Sequence, residues 1–119
     1  MKFRPLILLG ILVLLFGCKT ATPVPEEKGS VVHIVAGAFN PQTISVRKGE
    51  AVCWVNDDAE DAHWPASNDH PTHLLYPGFD PGHPVRSGDR WCFTFERVGD
   101  APYHDHFFPE IHGTVRVEP

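Results

Sequence analysis

The chain reads as an all-β domain, and three observations predict it. Short runs rich in β-branched and aromatic residues recur along it: "VVHIVA", "TISVRKGEAVCWVN", "RWCFTFERVG" and "GTVRVE". Turn-forming residues punctuate these runs, among them Gly37 and Lys48-Gly49-Glu50. Beyond the apolar N-terminal segment no stretch keeps the 3.6-residue periodicity of an amphipathic helix. Several short strands joined by one or two long loops predict a Greek-key β-sandwich or barrel over residues 31–119.

The chain of 119 residues allows one such domain. It opens with Lys2 and Arg4, an apolar run from Leu6 to Phe16, then Gly17 and Cys18. A basic start, an apolar stretch short for a bilayer and a small residue at its end describe an export signal over residues 1–17. The ending "LLFGC" resembles the bacterial lipobox, which implies a lipid on Cys18 as the new N-terminus; the competing reading is an uncleaved anchor with an incidental cysteine. The lipid would make the membrane a partner and place the protein in the cell envelope, facing the periplasm or exterior. Residues 18–30, rich in Pro, Thr and charge, read as a tether. Without residues 1–17 the chain carries eight basic against fifteen acidic residues, a net charge of −7, and no basic cluster, which excludes nucleic acid as the expected partner.

Within the folded part "VVHIVA" gives the first strand, and the two halves of "TISVRKGEAVCWVN" give two more around the Lys48-Gly49-Glu50 turn. In "RWCFTFERVG", Trp91, Phe93 and Phe95 alternate with Cys92, Thr94 and Glu96, the period of a half-buried strand. "GTVRVE" closes the chain with Val115 and Val117 on one face. Trp54, Trp91, Phe93, Phe95 and Tyr103 form the expected core. Trp64 and Tyr76 lie in the long Pro- and His-rich connection between Asp57 and Gly88, where they either shield a site from water or close the end of the barrel. A connection of that length in a small domain points to function or to short irregular elements.

Cys53 and Cys92 remain once Cys18 is assigned to lipid. In an exported protein two leftover cysteines point to a disulfide; two buried thiols and soft metal ligands are the alternatives.

The phrases "AFNPQTISVRKGEAVCWVNDD", His63, "FTFERVG" and "YHDHFFPEIHGTVRV" together resemble the cupredoxin family over essentially all of residues 31–119. Asn56 and His63 match the family's Asn and its first metal-binding histidine. The family topology also sets the strands of Cys53 and Cys92 side by side. The family's closing loop, Tyr-x-Cys-x-x-His-Pro-x-Met, is rewritten: Tyr103 and Pro109 are kept, while Asp105, Phe108 and Ile111 stand where the cysteine, histidine and methionine would. A blue-copper site needs two His, one Cys and a weak axial ligand. The resemblance therefore implies the fold and a retained His63, but no copper–thiolate bond.

What the chain offers instead is imidazole. Of its eight histidines, seven lie between His63 and His112. His104 and His106 share one face of an extended segment, with Tyr103 and Asp105 on the other. His70 and His73 flank Pro71 and Thr72 in the long loop. Such pairs chelate Cu(II), Zn(II) or Ni(II), with copper favoured by intrinsic affinity. The expected site is thus a colourless, histidine-dominated copper centre drawn from His63, His70, His73, His104, Asp105 and His106. In the opposing expectation Asp105 points inward to His63 and plugs the old metal position, leaving a metal-free binding or structural module. His33, His83 and His112 read as solvated or structural. With no acid–base pair or substrate-pocket signature, the chain is expected to be no enzyme; it would handle copper or exchange electrons with a redox or copper-donor protein.

Overall fold

The computed structural model describes Gly17 and residues 30–119. Apart from Gly17 and Ser30, the export signal over residues 1–17, the lipidated Cys18 and the tether over 18–30 lie outside the described residues.

Eight strands build two facing sheets: β1 (Ser30–Val35), β2 (Ala38–Asn40), β3 (Thr43–Arg47), β4 (Ala51–Asn56), β5 (Pro65–Ser67), β6 (Arg90–Thr94), β7 (Gly99–Asp105) and β8 (His112–Glu118). One sheet runs β2-β1-β4-β6 and the other β3-β8-β7-β5. The β1–β4 and β3–β8 pairs are parallel and the rest antiparallel, so the chain crosses repeatedly between sheets. This is the all-β sandwich the strand pattern predicts; no described residue is helical.

The four expected runs fall in β1, β3 with β4, β6 and β8. Three strands carry no such signal. The short β2 and β5 lie outside the β-branched runs, and β7 contains Asp100 and Pro102, both poor strand formers. Pro65 is tolerated because it opens β5, an edge strand, where a missing N–H breaks no interior ladder.

Period-two alternation fills the space between the sheets. Val32 and Ile34 of β1, Val52 and Trp54 of β4, Ala101 and Tyr103 of β7, and Val115 and Val117 of β8 are all buried. Trp54 is the hub, with ring centroids 5.1 Å from Phe79, 5.4 Å from Trp91 and 5.4 Å from Tyr103. Gly113 lies opposite Tyr103 in the β7–β8 ladder, and a Cβ there would come within 2.7 Å of the phenol oxygen; only glycine admits the ring. Burial raises the Tyr103 phenol above its ordinary pKa, with the nearby Trp54 indole opposing.

Cys53 and Cys92 face each other across the β4–β6 ladder and form the expected disulfide, with Cα atoms 4.0 Å apart. Both alternatives, free thiols and thiolate ligands, are thereby removed.

The long connection is ordered from within. Phe79 is fully buried among Trp54, Trp91, Phe93 and Tyr103. Burying one such ring stabilises by roughly 1.5–3 kcal/mol. Tyr76 joins the core, and its hydroxyl accepts the Glu96 and Arg97 amides. The Ser67 amide donates to Phe79 O at 2.8 Å and Leu75 N to Asn68 O at 2.7 Å, so the ends of the 68–79 segment are tied together as a compact surface loop.

Candidate metal centre

The end of β7 separates two chemistries by strand alternation. Tyr103 and Asp105 turn into the sandwich, both 0% exposed, while His104 turns to the outer face, where Ala66 of β5 lies opposite it. His106 follows just past the strand, its amide donating to Trp64 O at 2.8 Å. The 68–79 loop, pinned by Phe79 and Tyr76, folds over this outer face and delivers His70 and His73.

The four imidazoles converge. His70 Nδ1 is 3.2 Å from His104 Nε2, and His106 Nδ1 is 3.1 Å from His73 Nε2. One ring nitrogen from each of the four lies within 4.8 Å of the others. Each loop ring also packs on each strand ring: His70 is 5.1 Å from His104 and 5.0 Å from His106, and His73 is 5.1 Å and 4.8 Å from the same two. His73 and His104 are buried, His106 is half-buried and His70 is exposed, so the cluster meets solvent on the His70 side.

Partners outside the cluster decide which nitrogens face inward. His73 Nδ1 lies 2.7 Å from Asp80 Oδ2, and an ionised carboxylate only accepts, so Nδ1 carries the proton and Nε2 presents its lone pair. His104 Nδ1 lies 2.8 Å from Asn68 Oδ1, which fixes the same arrangement there. His73 sits at φ 56, the left-handed region that non-glycine residues seldom occupy, with its amide held by Asp69 O at 2.7 Å. Burial, and then the neighbouring His73, His70 and His106, push the His104 imidazole down to about 4, so it stays neutral and available as a donor. Burial works against the Asp80 carboxylate, but bonds from His73, the Gly82 amide and the Trp64 indole outweigh it and hold its pKa below the ordinary value.

A single ion fits this donor set. With metal–nitrogen bonds of about 2.0–2.1 Å, adjacent nitrogens would lie roughly 2.9–3.4 Å apart and opposite ones about 4.1 Å. The two close contacts already match the first range, and the widest separation needs only a small contraction. Four imidazoles suit Cu(II), Zn(II) or Ni(II) and lack the soft thiolate of a blue site.

His63 and Asp105, expected among the ligands, stand apart from these four. His63 Nδ1 is hydrogen-bonded to Asp105 Oδ2, and its Nε2 lies 3.1 Å from Asp58 Oδ2. Both ring nitrogens therefore face carboxylates, and neither belongs to the four-imidazole cluster. Asp105 Oδ1 additionally accepts the Trp64 amide at 3.1 Å and the Phe107 amide at 3.0 Å. The physical reason is that a carboxylate in the thiolate position is buried and must be paired. Hydrogen bonds from the Glu60 amide and His63 lower the Asp58 carboxyl. Phe108 packs 5.4 Å from the His63 ring, and Ile111 is buried nearby in sequence. His33 pairs instead with exposed Asp57 at 2.5 Å.

No protein-family model and no curated protein matches the sequence. Solved structures do. A purple cupredoxin from Nitrosopumilus maritimus is 27% identical with a TM-score of 0.64, covering 75% of this chain and 99% of its own. The domain is a cupredoxin by fold. An amicyanin variant in its reduced state is 23% identical, covers 76% of this chain and 83% of its own, and gives a TM-score of 0.63. A copper-containing nitrite reductase from Thermus scotoductus is 23% identical with a TM-score of 0.65; it covers 89% of this chain, which spans only 25% of that longer protein. Of the rewritten loop residues, Asp105 touches His63 and Phe108 packs on it, and a carboxylate pair, Asp105 and Asp58, holds the ring.

Three functional residues escape a reading of the sequence. Asp58, Asn68 and Asp80 sit in loops, where no periodicity tells which way a side chain points. The hint is compositional, an acidic residue near histidines in "NDHPTH" and "GFDPGH".

Proposed function

We propose that this protein binds copper on the outer face of its cupredoxin sandwich, through His70, His73, His104 and His106. The observation that carries the reading is the convergence of four ring nitrogens, two of them aimed inward by hydrogen bonds to Asp80 and Asn68. Both domain cysteines are consumed by the disulfide, so the centre is colourless and imidazole-only. A bound copper ion would supply reversible one-electron chemistry or be held for transfer. The chain's own residues bind it, orient it and leave the His70 side reachable by solvent. The role is copper handling or electron exchange with a redox or copper-donor protein, without catalysis, on a domain tethered to the envelope by a lipid on Cys18. The metal-free alternative draws its support from the closed position at His63, which the outer-face cluster does not share.

Cu(II) titration of the domain, followed by electron paramagnetic resonance, tests the reading. One tight equivalent with nitrogen hyperfine structure and no intense visible thiolate band is expected. His104→Ala with His106→Ala should abolish binding, and His33→Ala should leave it intact. Undiminished binding in the double variant would refute the site, and preference for Zn(II) under competition would refute the metal. Retained lipidation and processing in Cys18→Ser would remove the envelope anchor.

A further inference from the structure

Among the described residues, Asp80 is the side chain that bonds to both halves of the cluster's support. Its Oδ2 takes His73 Nδ1 at 2.7 Å. Its Oδ1 takes Trp64 Nε1 at 2.8 Å and the Gly82 amide at 2.8 Å. Trp64 in turn brackets the strand half: its ring lies 5.2 Å from His106, and its carbonyl accepts the His106 amide. A loop carboxylate thus reaches His73 directly and His106 through one indole.

We propose that Asp80 is a positioning residue that sets the donor capacity of the site by locking the tautomer of His73. The consequence for affinity rests on the metal reading above; the geometry does not. Asp80 has no proton to give, so His73 holds its own proton on Nδ1 and keeps Nε2 bare toward the cluster. The backbone cannot relax the requirement. His73 is held in the left-handed region, and its ring, 6% exposed, is confined between His104 and His106.

The isosteric change Asp80→Asn tests this sharply, because the two oxygens of Asp80 face unequal numbers of donors. Oδ1 faces two N–H groups and Oδ2 faces one. In the Asp80→Asn variant the new amide carbonyl would therefore turn to Trp64 and Gly82, leaving its NH2 toward His73. Two donors cannot face each other, so His73 would move its proton from Nδ1 to Nε2 and accept on Nδ1. The bare nitrogen that faced the cluster would then carry a hydrogen. The change moves one proton between the two ring nitrogens, and the fold need not change. Replacing such an outer partner of a ligating histidine costs about 10–100-fold in metal affinity.

The experiment has two arms. In the first, 15N-detected imidazole spectra of the metal-free protein report the His73 tautomer. Nδ1–H is expected in the wild type and in Trp64→Phe, where Asp80 still accepts, and Nε2–H in Asp80→Asn. In the second, competition titration with Cu(II) should show binding by Asp80→Asn weakened about 10–100-fold, with cooperative unfolding of the metal-free domain retained. Nε2–H in the wild type, or an unchanged tautomer in Asp80→Asn, overturns the proposal, as does a shifted tautomer with undiminished affinity. A wild type that binds no metal refutes the copper reading instead, while the first arm still decides whether Asp80 fixes the ring.

Discussion

Replacing Asp105 separates the structural role of this residue from any role as a ligand. Its carboxylate is 0% exposed, accepts the Trp64 amide at 3.1 Å and the Phe107 amide at 3.0 Å, and bonds to His63. Asp105→Ala strands two backbone donors and one face of a buried imidazole. An unsatisfied buried donor costs about 1–3 kcal/mol, and breaking a buried charged pair about 3–5 kcal/mol. These costs overlap, and about 4 kcal/mol is expected, which for a domain of this size lowers Tm by roughly 15–30 °C. Asp105→Asn should behave differently. Its carbonyl can keep both backbone amides, and its NH2 can donate to His63 Nδ1 once that ring holds its proton on Nε2, toward Asp58. Only the charge assistance of the bond is lost, about 1 kcal/mol. Urea unfolding of the metal-free domain, followed by tryptophan fluorescence, measures both. A loss under about 1 kcal/mol in the alanine variant, or equal losses in the two, would refute the buried-pair account.

Other outcomes follow from the same geometry. Removing the disulfide with Cys53→Ala and Cys92→Ala should cost about 4 kcal/mol on a chain-entropy account, given a separation of 39 residues, read as a drop in the urea midpoint. His104 titrates near 4 when folded and near 6.5 when unfolded, so between these values the unfolded chain binds more protons. Metal-free stability should therefore fall as pH drops from about 6.5 toward 4, and a His104→Gln variant should show a flatter Tm profile across that window. Combining Asp105→Cys, Phe108→His and Ile111→Met should restore a thiolate centre at His63. An intense visible band with copper is expected; a colourless product would show that these positions no longer surround His63.

Much of the fold is legible because burial leaves a period in the sequence. β4, β6 and β8 show themselves through alternating Val, Trp and Phe, and the cysteines fall opposite each other once their strands are neighbours. β7 stays hidden because Asp100 and Pro102 interrupt its pattern, although its last residues carry half the candidate site. The strand half of the cluster can be read, since His104 and His106 at a spacing of two must share a face. The way His70 and His73 reach them cannot. It depends on Phe79 dropping into the core and tying down the loop, a tertiary event with no local signature. The family position of His63 draws it and Asp105 into the expected ligand set; the second carboxylate that closes that position, Asp58, comes from an acidic loop where every residue looks alike.

The two faces of one extended segment carry two separate arrangements, with Asp105 turned inward to His63 and His104 turned to the outer face. In the family arrangement implied by the sequence, the inward residue after Tyr103 supplies the thiolate. Here that residue is Asp105, and a buried carboxylate must recruit partners: His63, with Asp58 behind it, and the amides of Trp64 and Phe107. Both residues also adjoin His106. Trp64 holds the His106 amide through its carbonyl and reaches Asp80 through its indole, while Phe107 follows His106 directly. The group that closes the interior position is thus the same group that fixes the backbone presenting imidazoles outward. Asp105→Ala should accordingly weaken copper binding although Asp105 contributes no ligand, and Asp105→Asn, which keeps both amide bonds, should bind nearly as the wild type does. Equal affinities in the alanine variant and the wild type would mean that the inner network and the outer cluster are independent, and that the coincidence of the two on one strand carries no mechanical consequence.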